Sequence, residues 1–331
     1  MKAMVLDAPA PAEARPLAAR EIEDPRPGPG EVRLRVAACG VCRTDLHTVE
    51  GELELVRLPL VPGHQIVGVV DEVGERVPDD LLGARVGVAW LGAACKACTY
   101  CGTGRENLCF EARFTGLHMD GGYAEFAVAR ADFVYPIPAV FSDEQAAPLL
   151  CAGVVGYRAL RLAGALGRGR LGIFGFGASA HVAIQIARFA GCEVFVFTRA
   201  KRHNEHARSL GAAWVGAPDE TPPVPLDHAV IFSPAGEHVP LALQHLARGG
   251  TVACAGVTMS DLPGFPYSHL YQERCVRSVA NATRADAREL LELASRIPIV
   301  TTVEALPLSQ ANEALQRVKH SHVTGALVLK P

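Results

Sequence analysis

The chain reads as an α/β protein of two domains, a compact β-barrel-like part followed by a doubly wound parallel sheet. Three observations predict this. Short apolar segments separated by Gly and Pro fill roughly the first 140 residues. From about residue 143 the texture becomes strand, Gly-rich turn, helix, strand. A length of 331 residues is long for one core and comfortable for two.

Taken in order, EVRLRVAAC, HQIVGVVDEV, ARVGVAW and YAEFAVA are the strand-like runs of the first part, with turn residues every ten or so positions. Ser142, ahead of two acidic residues, suits the N-cap of the helix-rich SDEQAAPLLCAGVVGYRALRLAG. RLGIFGFGASAHVAIQIARFAGCEVFVFTRA then gives strand, tight turn, amphipathic helix and strand. HARSLGAAWVG, DHAVIFSPAG and HVPLALQHLARGGTVACAGV continue the alternation of a parallel sheet with crossover helices. Beyond about residue 282 lie the helix ADARELLELASRI, the run TTVEALPL, the helix SQANEALQRVKHS and a strand GALVLK. This tail either completes the wound sheet or returns to the first domain.

Composition excludes several partners. Thirty-two basic against 35 acidic side chains give a net charge of −3, too balanced for a nucleic-acid or polyanion partner. No run of about 18 apolar residues could span a bilayer, and MKAMVLDAPAPAEARPL lacks the apolar stretch of a signal peptide. A cytoplasmic protein is expected. In a reducing compartment its ten cysteines are better metal ligands than disulfides.

Four of them, Cys95, Cys98, Cys101 and Cys109, crowd into CKACTYCGTGRENLC. Four thiolates at this spacing can wrap a tetrahedral Zn²⁺ and leave no open position, so the loop is predicted to hold a structural zinc. Four unrelated buried cysteines would be the plain alternative, and a nucleic-acid zinc ribbon lacks its flanking basic patch. Cys39, Cys192, Cys254 and Cys275 have no partners at ligand spacing and are expected to be buried apolar thiols.

A second group is dispersed. CGVCRTDLH carries Cys42 and His47, VPGHQIVGVV carries His64, and LLCAGVVGY carries Cys151. Cys42, His64 and Cys151 would offer two thiolates and an imidazole, the three ligands of an open catalytic site. Spacing alone does not show that they meet, and each is equally at home in a core. LGIFGFGASAH reads strand, Gly175-x-Gly177-x-x-Ala180, helix: a turn in which Gly175, Gly177, Ala178, Ser179 and Ala180 would bring backbone close to a pyrophosphate. The following strand ends in Thr198 and Arg199, with Arg202 nearby, where an NAD enzyme would place a carboxylate. NADP(H) is therefore favoured, with NAD(H) possible if these cations are only a solvated helix start.

These motifs, in this order, resemble the zinc-dependent alcohol dehydrogenases of the medium-chain dehydrogenase/reductase family over nearly the whole chain. The resemblance implies a GroES-like β-barrel catalytic domain from residues 1–147 and 283–331, and a Rossmann domain from 148–282. It implies a catalytic zinc on Cys42, His64 and Cys151 and a structural zinc on the four loop cysteines. It matches Thr44 to the hydroxyl that bonds the substrate oxygen and His47 to the outer end of a proton relay. Arg43 is matched to a cofactor phosphate contact, and Asp45 to a carboxylate orienting a ligand imidazole; a surface ion pair between the two is the bland alternative. Trp90 matches a wall of the substrate pocket, favouring unbranched primary alcohols and aldehydes, although core packing is open to it. His118 and Met119 are placed near that wall. Gln65 stands where relatives often carry Glu, and Gly325-Ala326 where they often carry a basic residue. By resemblance the chain forms a homo-oligomer, a dimer or tetramer. The rival readings are a polyol or other secondary-alcohol zinc dehydrogenase and a non-catalytic zinc- and nucleotide-binding sensor.

Overall fold

The computed structural model describes residues 1–55 and 57–331. They form two compact units: Met1–Cys151 with Thr283–Arg296 and Val300–Pro331, and Ala152–Ala282 with Ile297–Ile299.

The first unit is built on one long strand, Glu31–Val41. Its alternating Val32, Leu34 and Val36 bury one face. Gln65–Val73 pairs with it antiparallel, and Arg85–Val88 and Val134–Pro136 extend the sheet. Phe126–Arg130 also pairs with the long strand, in antiparallel register. The tail returns here: Ala326–Lys330 lies antiparallel on the long strand through Leu327, Val328 and Leu329, with Val303–Pro307 parallel outside it. The chain end thus supplies core residues Leu327 and Leu329 to the first unit. Two smaller pairings, Lys2–Leu6 with Leu17–Glu21 and Leu91–Ala93 with Arg113–Phe114, complete it.

This unit runs past the expected boundary at residue 147. Ser142 and Gln145 form the capping box of Asp143–Ala146, and a short 3₁₀ turn, Ala147–Leu150, buries all four of its residues. Leu150 packs so closely on Gly87 that a Cβ there would sit 2.7 Å from its methyl groups. Apolar packing therefore keeps Cys151 with the first unit.

The second unit is a six-stranded parallel sheet in the order Trp214–Gly216, Cys192–Phe197, Gly169–Phe174, Leu226–Ile231, Leu246–Cys254, Cys275–Ser278. Numbered along the chain this is 3-2-1-4-5-6, the doubly wound order whose ligand crevice opens between strands 1 and 4. The central strands read as near-continuous apolar runs because both faces are covered. Cys275 departs from the expectation of a buried thiol: it lies on the edge strand and is exposed. Among the described residues no single helix is long and apolar enough to cross a membrane; only Asp143–Leu150 with Ala152–Ala163 approaches it, across a 42° bend.

Candidate functional site

The stretch 42–47 starts a helix, and the way it starts decides the chemistry. Cys42 is the N-cap of Arg43–Glu50: its Sγ accepts from Thr44 N at 3.3 Å, while Asp45 Oδ2 accepts from Cys42 N at 2.9 Å. A thiolate at the cap is favoured by the positive end of the helix. Asp45 uses its other oxygen to bond His64 Nδ1 at 2.8 Å. That bond leaves Nε2 facing Cys42 Sγ at 3.6 Å. Asp45 is buried on His64, and Arg43 reaches Val318 O at 3.4 Å, so no ion pair joins Arg43 to Asp45.

His64 is delivered by a turn. Gly63 takes φ +96, and the amides of Gly121, Gly122 and Tyr123 bond the carbonyls of Val61, Gly63 and Pro62. The donor atoms of Cys42, His64 and Cys151 all lie within 4.8 Å of one another, as do those of Cys95, Cys98, Cys101 and Cys109. Thiolates about 2.3 Å from a tetrahedral zinc stand about 3.8 Å apart, and a thiolate and an imidazole nitrogen about 3.6 Å. Cys95 and Cys101 are 3.8 Å apart and Cys42 and His64 3.6 Å, so both donor sets fit that ion.

Electrostatics agree. The Cys42 thiol is pushed well down, first by its hydrogen bond with Cys151 and then, against burial, by the charge of His64. The same shared hydrogen bond, with burial, pushes Cys151 well up. Burial opposes the charge on His64, but Asp45 and Cys42 outweigh it and raise the imidazole to about 10. A divalent cation would take the place of the protons these groups hold between them. In the loop, backbone hydrogen bonds at Ala97 and Cys98 bring Cys95 down to about 7.

Around the three-ligand cluster, Thr44 and His47 are buried on the same short helix. His47 Nδ1 lies 2.6 Å from Glu52 Oε2. Glu52 was not foreseen. The signal was local: Gly51 ends the helix at φ +77, and Glu52 N bonds His47 O at 2.9 Å, folding the carboxylate back over the imidazole. Trp90 lies beside His64, ring centroids 6.1 Å apart, and stacks on Phe114 at 4.5 Å. Phe114 in turn meets His118 at 5.3 Å, while Met119 packs over Gly92. Gln65 is buried over Gly40, its amide nitrogen without a partner among the described residues.

In the second unit, Gly175 (φ +86) ends strand Gly169–Phe174, and a Cβ there would press on Ser233 after the fourth strand. Gly177 caps the helix Ala178–Phe189, and nothing lies within 4 Å of where its Cβ would be. The amides of Ala178, Ser179 and Ala180 open this helix, so the turn offers the cradle and positive end that a dinucleotide pyrophosphate requires. Thr198 is buried with its amide on Gly216 O, whereas Arg199 is exposed and pairs with Glu237 at 3.3 Å. Arg202 lies in the first turn of Lys201–Ser209.

Comparison with known proteins points to one family. Residues 28–139 match the family described as Alcohol dehydrogenase GroES-like domain, and residues 180–296 match Zinc-binding dehydrogenase. A Mycobacterium tuberculosis protein named "Probable alcohol dehydrogenase AdhA" is 45% identical over 335 residues, covering 99% of this chain and 97% of its own length. An alcohol dehydrogenase of Geobacillus stearothermophilus is 36% identical, covering 96% of each chain. The thermostable alcohol dehydrogenase of Pyrobaculum aerophilum, solved with cobalt and zinc bound, superposes with a TM-score of 0.91 at 28% identity, over 100% of this chain and 99% of that one.

Proposed function

The chain belongs to the zinc-dependent alcohol dehydrogenases of the medium-chain dehydrogenase/reductase family, and from that premise we propose how its residues divide the reaction. It interconverts small alcohols and aldehydes using zinc and a nicotinamide dinucleotide. The catalytic zinc belongs on Cys42, His64 and Cys151, and the structural zinc on Cys95, Cys98, Cys101 and Cys109. What supports this division is donor count: three ligands leave a tetrahedral corner for substrate, while four thiolates close the shell. Zinc supplies Lewis-acid polarisation of the substrate oxygen, and the nicotinamide carries the hydride.

The protein's own groups handle position and proton. Asp45 fixes the tautomer and orientation of His64. Thr44 accepts a hydrogen bond from the substrate hydroxyl and, as that proton moves to its oxygen, hands its own hydroxyl proton on. His47 takes that proton onward, and Glu52, half-exposed and bonded to Nδ1, passes it to solvent. Arg43 and the Gly175–Ala180 turn hold the dinucleotide phosphates. Trp90, stacked on Phe114, walls the pocket and selects unbranched primary alcohols and aldehydes.

NADP(H) is the preferred cofactor, supported by Thr198, Arg199 and Arg202 at the end of strand Cys192–Phe197. Glu237 tempers that preference, because a ribose phosphate must win Arg199 from its carboxylate. The first unit serves as catalytic domain and the second as dinucleotide domain, in a cytoplasmic homodimer or homotetramer. The observation that carries the assignment is the meeting of Cys42, His64 and Cys151 with Asp45 behind the imidazole. An alcohol and aldehyde panel with both cofactors, alongside metal counting, tests it. Two zinc ions per chain with turnover are expected, and kcat/KM should favour NADP(H). A tenfold preference for NAD(H) refutes the cofactor choice, and binding of metal and dinucleotide without turnover refutes the enzyme.

A further inference from the structure

The loop after the fourth strand of the wound sheet carries a serine and a histidine that the reaction scheme does not use. Strand Leu226–Ile231 ends at the crevice, and Ser233 follows just beyond it. Glycines flank it on both sides. A Cβ on Gly175, the first glycine of the phosphate turn, would stand 3.1 Å from Ser233 Cβ, and one on Gly256, beyond the fifth strand, 3.7 Å from Ser233 O. The ends of the first, fourth and fifth strands meet around this residue, beside the open space at Gly177. Ligands of doubly wound sheets lie in that crevice.

The loop is pinned. The amides of Phe232 and Ser233 both donate to Phe174 O, at 2.9 and 3.3 Å. Gly236 N donates to Ser260 Oγ, and Ser260 N to Pro234 O, each at 2.9 Å. Within this frame Ser233 Oγ lies 2.5 Å from His238 Nδ1. His238 is buried, its ring 5.9 Å from Phe174, while Ser233 is only half-buried. Burial is the first cause that lowers the pKa of His238, so the imidazole is neutral near pH 7. A neutral imidazole accepts at one nitrogen; with Nδ1 as that acceptor, the serine spends its only proton on the ring and keeps its lone pairs for the crevice. The same loop reaches the end of the second strand, where Glu237 pairs with Arg199 at 3.3 Å. The adenosine ribose of a dinucleotide lies at that strand end.

We propose that Ser233 accepts a hydrogen bond from the 3′-hydroxyl of the adenosine ribose, with His238 as the positioning residue that takes the serine's own proton. The inference rests on the dinucleotide reading made above and adds two residues to it. Both cofactors keep that hydroxyl, so the contact serves NADPH and NADH alike. The choice between them stays with the groups around Arg199.

Dissociation constants for NADPH and NADH, read from nicotinamide fluorescence, test it in wild type, Ser233→Ala, His238→Phe and the double variant. Ser233→Ala should weaken both cofactors about fivefold, the size of one neutral hydrogen bond, with thermal midpoint and zinc content unchanged. His238→Phe keeps a ring against Phe174; it should weaken binding in the presence of Ser233 and add nothing to Ser233→Ala. AMP should displace NADH from wild type about fivefold better than 3′-deoxy-AMP does, and no better from Ser233→Ala. Four results overturn the inference: unchanged affinity in Ser233→Ala, a loss confined to one cofactor, a His238→Phe effect that adds to that of Ser233→Ala, or no advantage of AMP over its 3′-deoxy form in wild type. A wild-type chain that binds neither cofactor overturns the dinucleotide reading and this inference with it.

Discussion

Replacing His181 with leucine should flatten the acid limb of stability in the dinucleotide unit. His181 lies in the helix that follows the Gly-rich turn, fully shielded from solvent, with neither ring nitrogen hydrogen-bonded among the described residues. Its ring stacks on His206, centroids 5.8 Å apart. Burial first, and the like charge of His206 second, lower its pKa from 6.5 to about 4. The unfolded chain therefore takes up this proton as pH falls through 6.5, while the folded one resists until about 4. The unfolded state binds more protons across that window, so stability rises with pH and is lost on acidification. At about 1.36 kcal/mol per pH unit the whole gap is worth about 3 kcal/mol, of which about 2 is gone by pH 5. Urea unfolding followed through Trp214, in a Trp90→Phe background, reads this unit. The advantage of His181→Leu over the parent should grow by about 2 kcal/mol between pH 7.5 and pH 5. Curves that stay parallel across that range would show that His181 is not held neutral, and the reasoning fails.

The other expectations concern the metal centres and the relay. Glu52→Gln keeps the His47 contact without the charge; kcat near neutral pH should fall about tenfold with zinc content unchanged, and an unaltered kcat and pH profile would remove Glu52 from the relay. Gln65→Glu places a buried carboxylate at the position following His64 and should change zinc exchange and kcat several-fold, in an exchange assay and steady-state kinetics; if both are unchanged, Gln65 tunes nothing. Glu106, inside the four-cysteine loop, accepts from Arg284 N at 2.9 Å and Nε at 3.2 Å, and so caps the helix Arg284–Arg296. Glu106→Gln should cost about 2 kcal/mol in unfolding measurements, discounted from a fully buried pair because Arg284 is partly exposed. It should also speed loss of the loop zinc to chelator, whereas an unchanged thermal midpoint would show that loop and helix are independent.

The two candidate metal clusters differ in how far they were legible along the chain. Cys95 to Cys109 span so few residues that the chain itself enforces their proximity, and four thiolates there have few alternatives. Cys42, His64 and Cys151 lie far apart along the chain, and no spacing rule joins them. The structure brings them together through strand register: Gly40 pairs with Gln65, which sets Cys42 beside His64, and the buried turn Ala147–Leu150 carries Cys151 to the same place. Arg43 and Asp45 illustrate the same limit. Their charges alone leave a surface pair open; the resemblance matches Asp45 to a carboxylate orienting a ligand imidazole, and the structure turns it inward onto buried His64 at 2.8 Å.

What the sequence alone determined is whatever depends on local chemistry: strand and helix periodicity, the Ser142 cap, the glycines of the phosphate turn, the crowded thiols. These follow from interactions within a few residues of one another. Only the tertiary structure decided that the C-terminal strand joins the first sheet, that Glu52 folds over His47, and that Asp45 turns inward onto His64. Register, burial and the field inside a low-dielectric core arise from contacts between distant segments, which the order of residues along the chain does not by itself reveal.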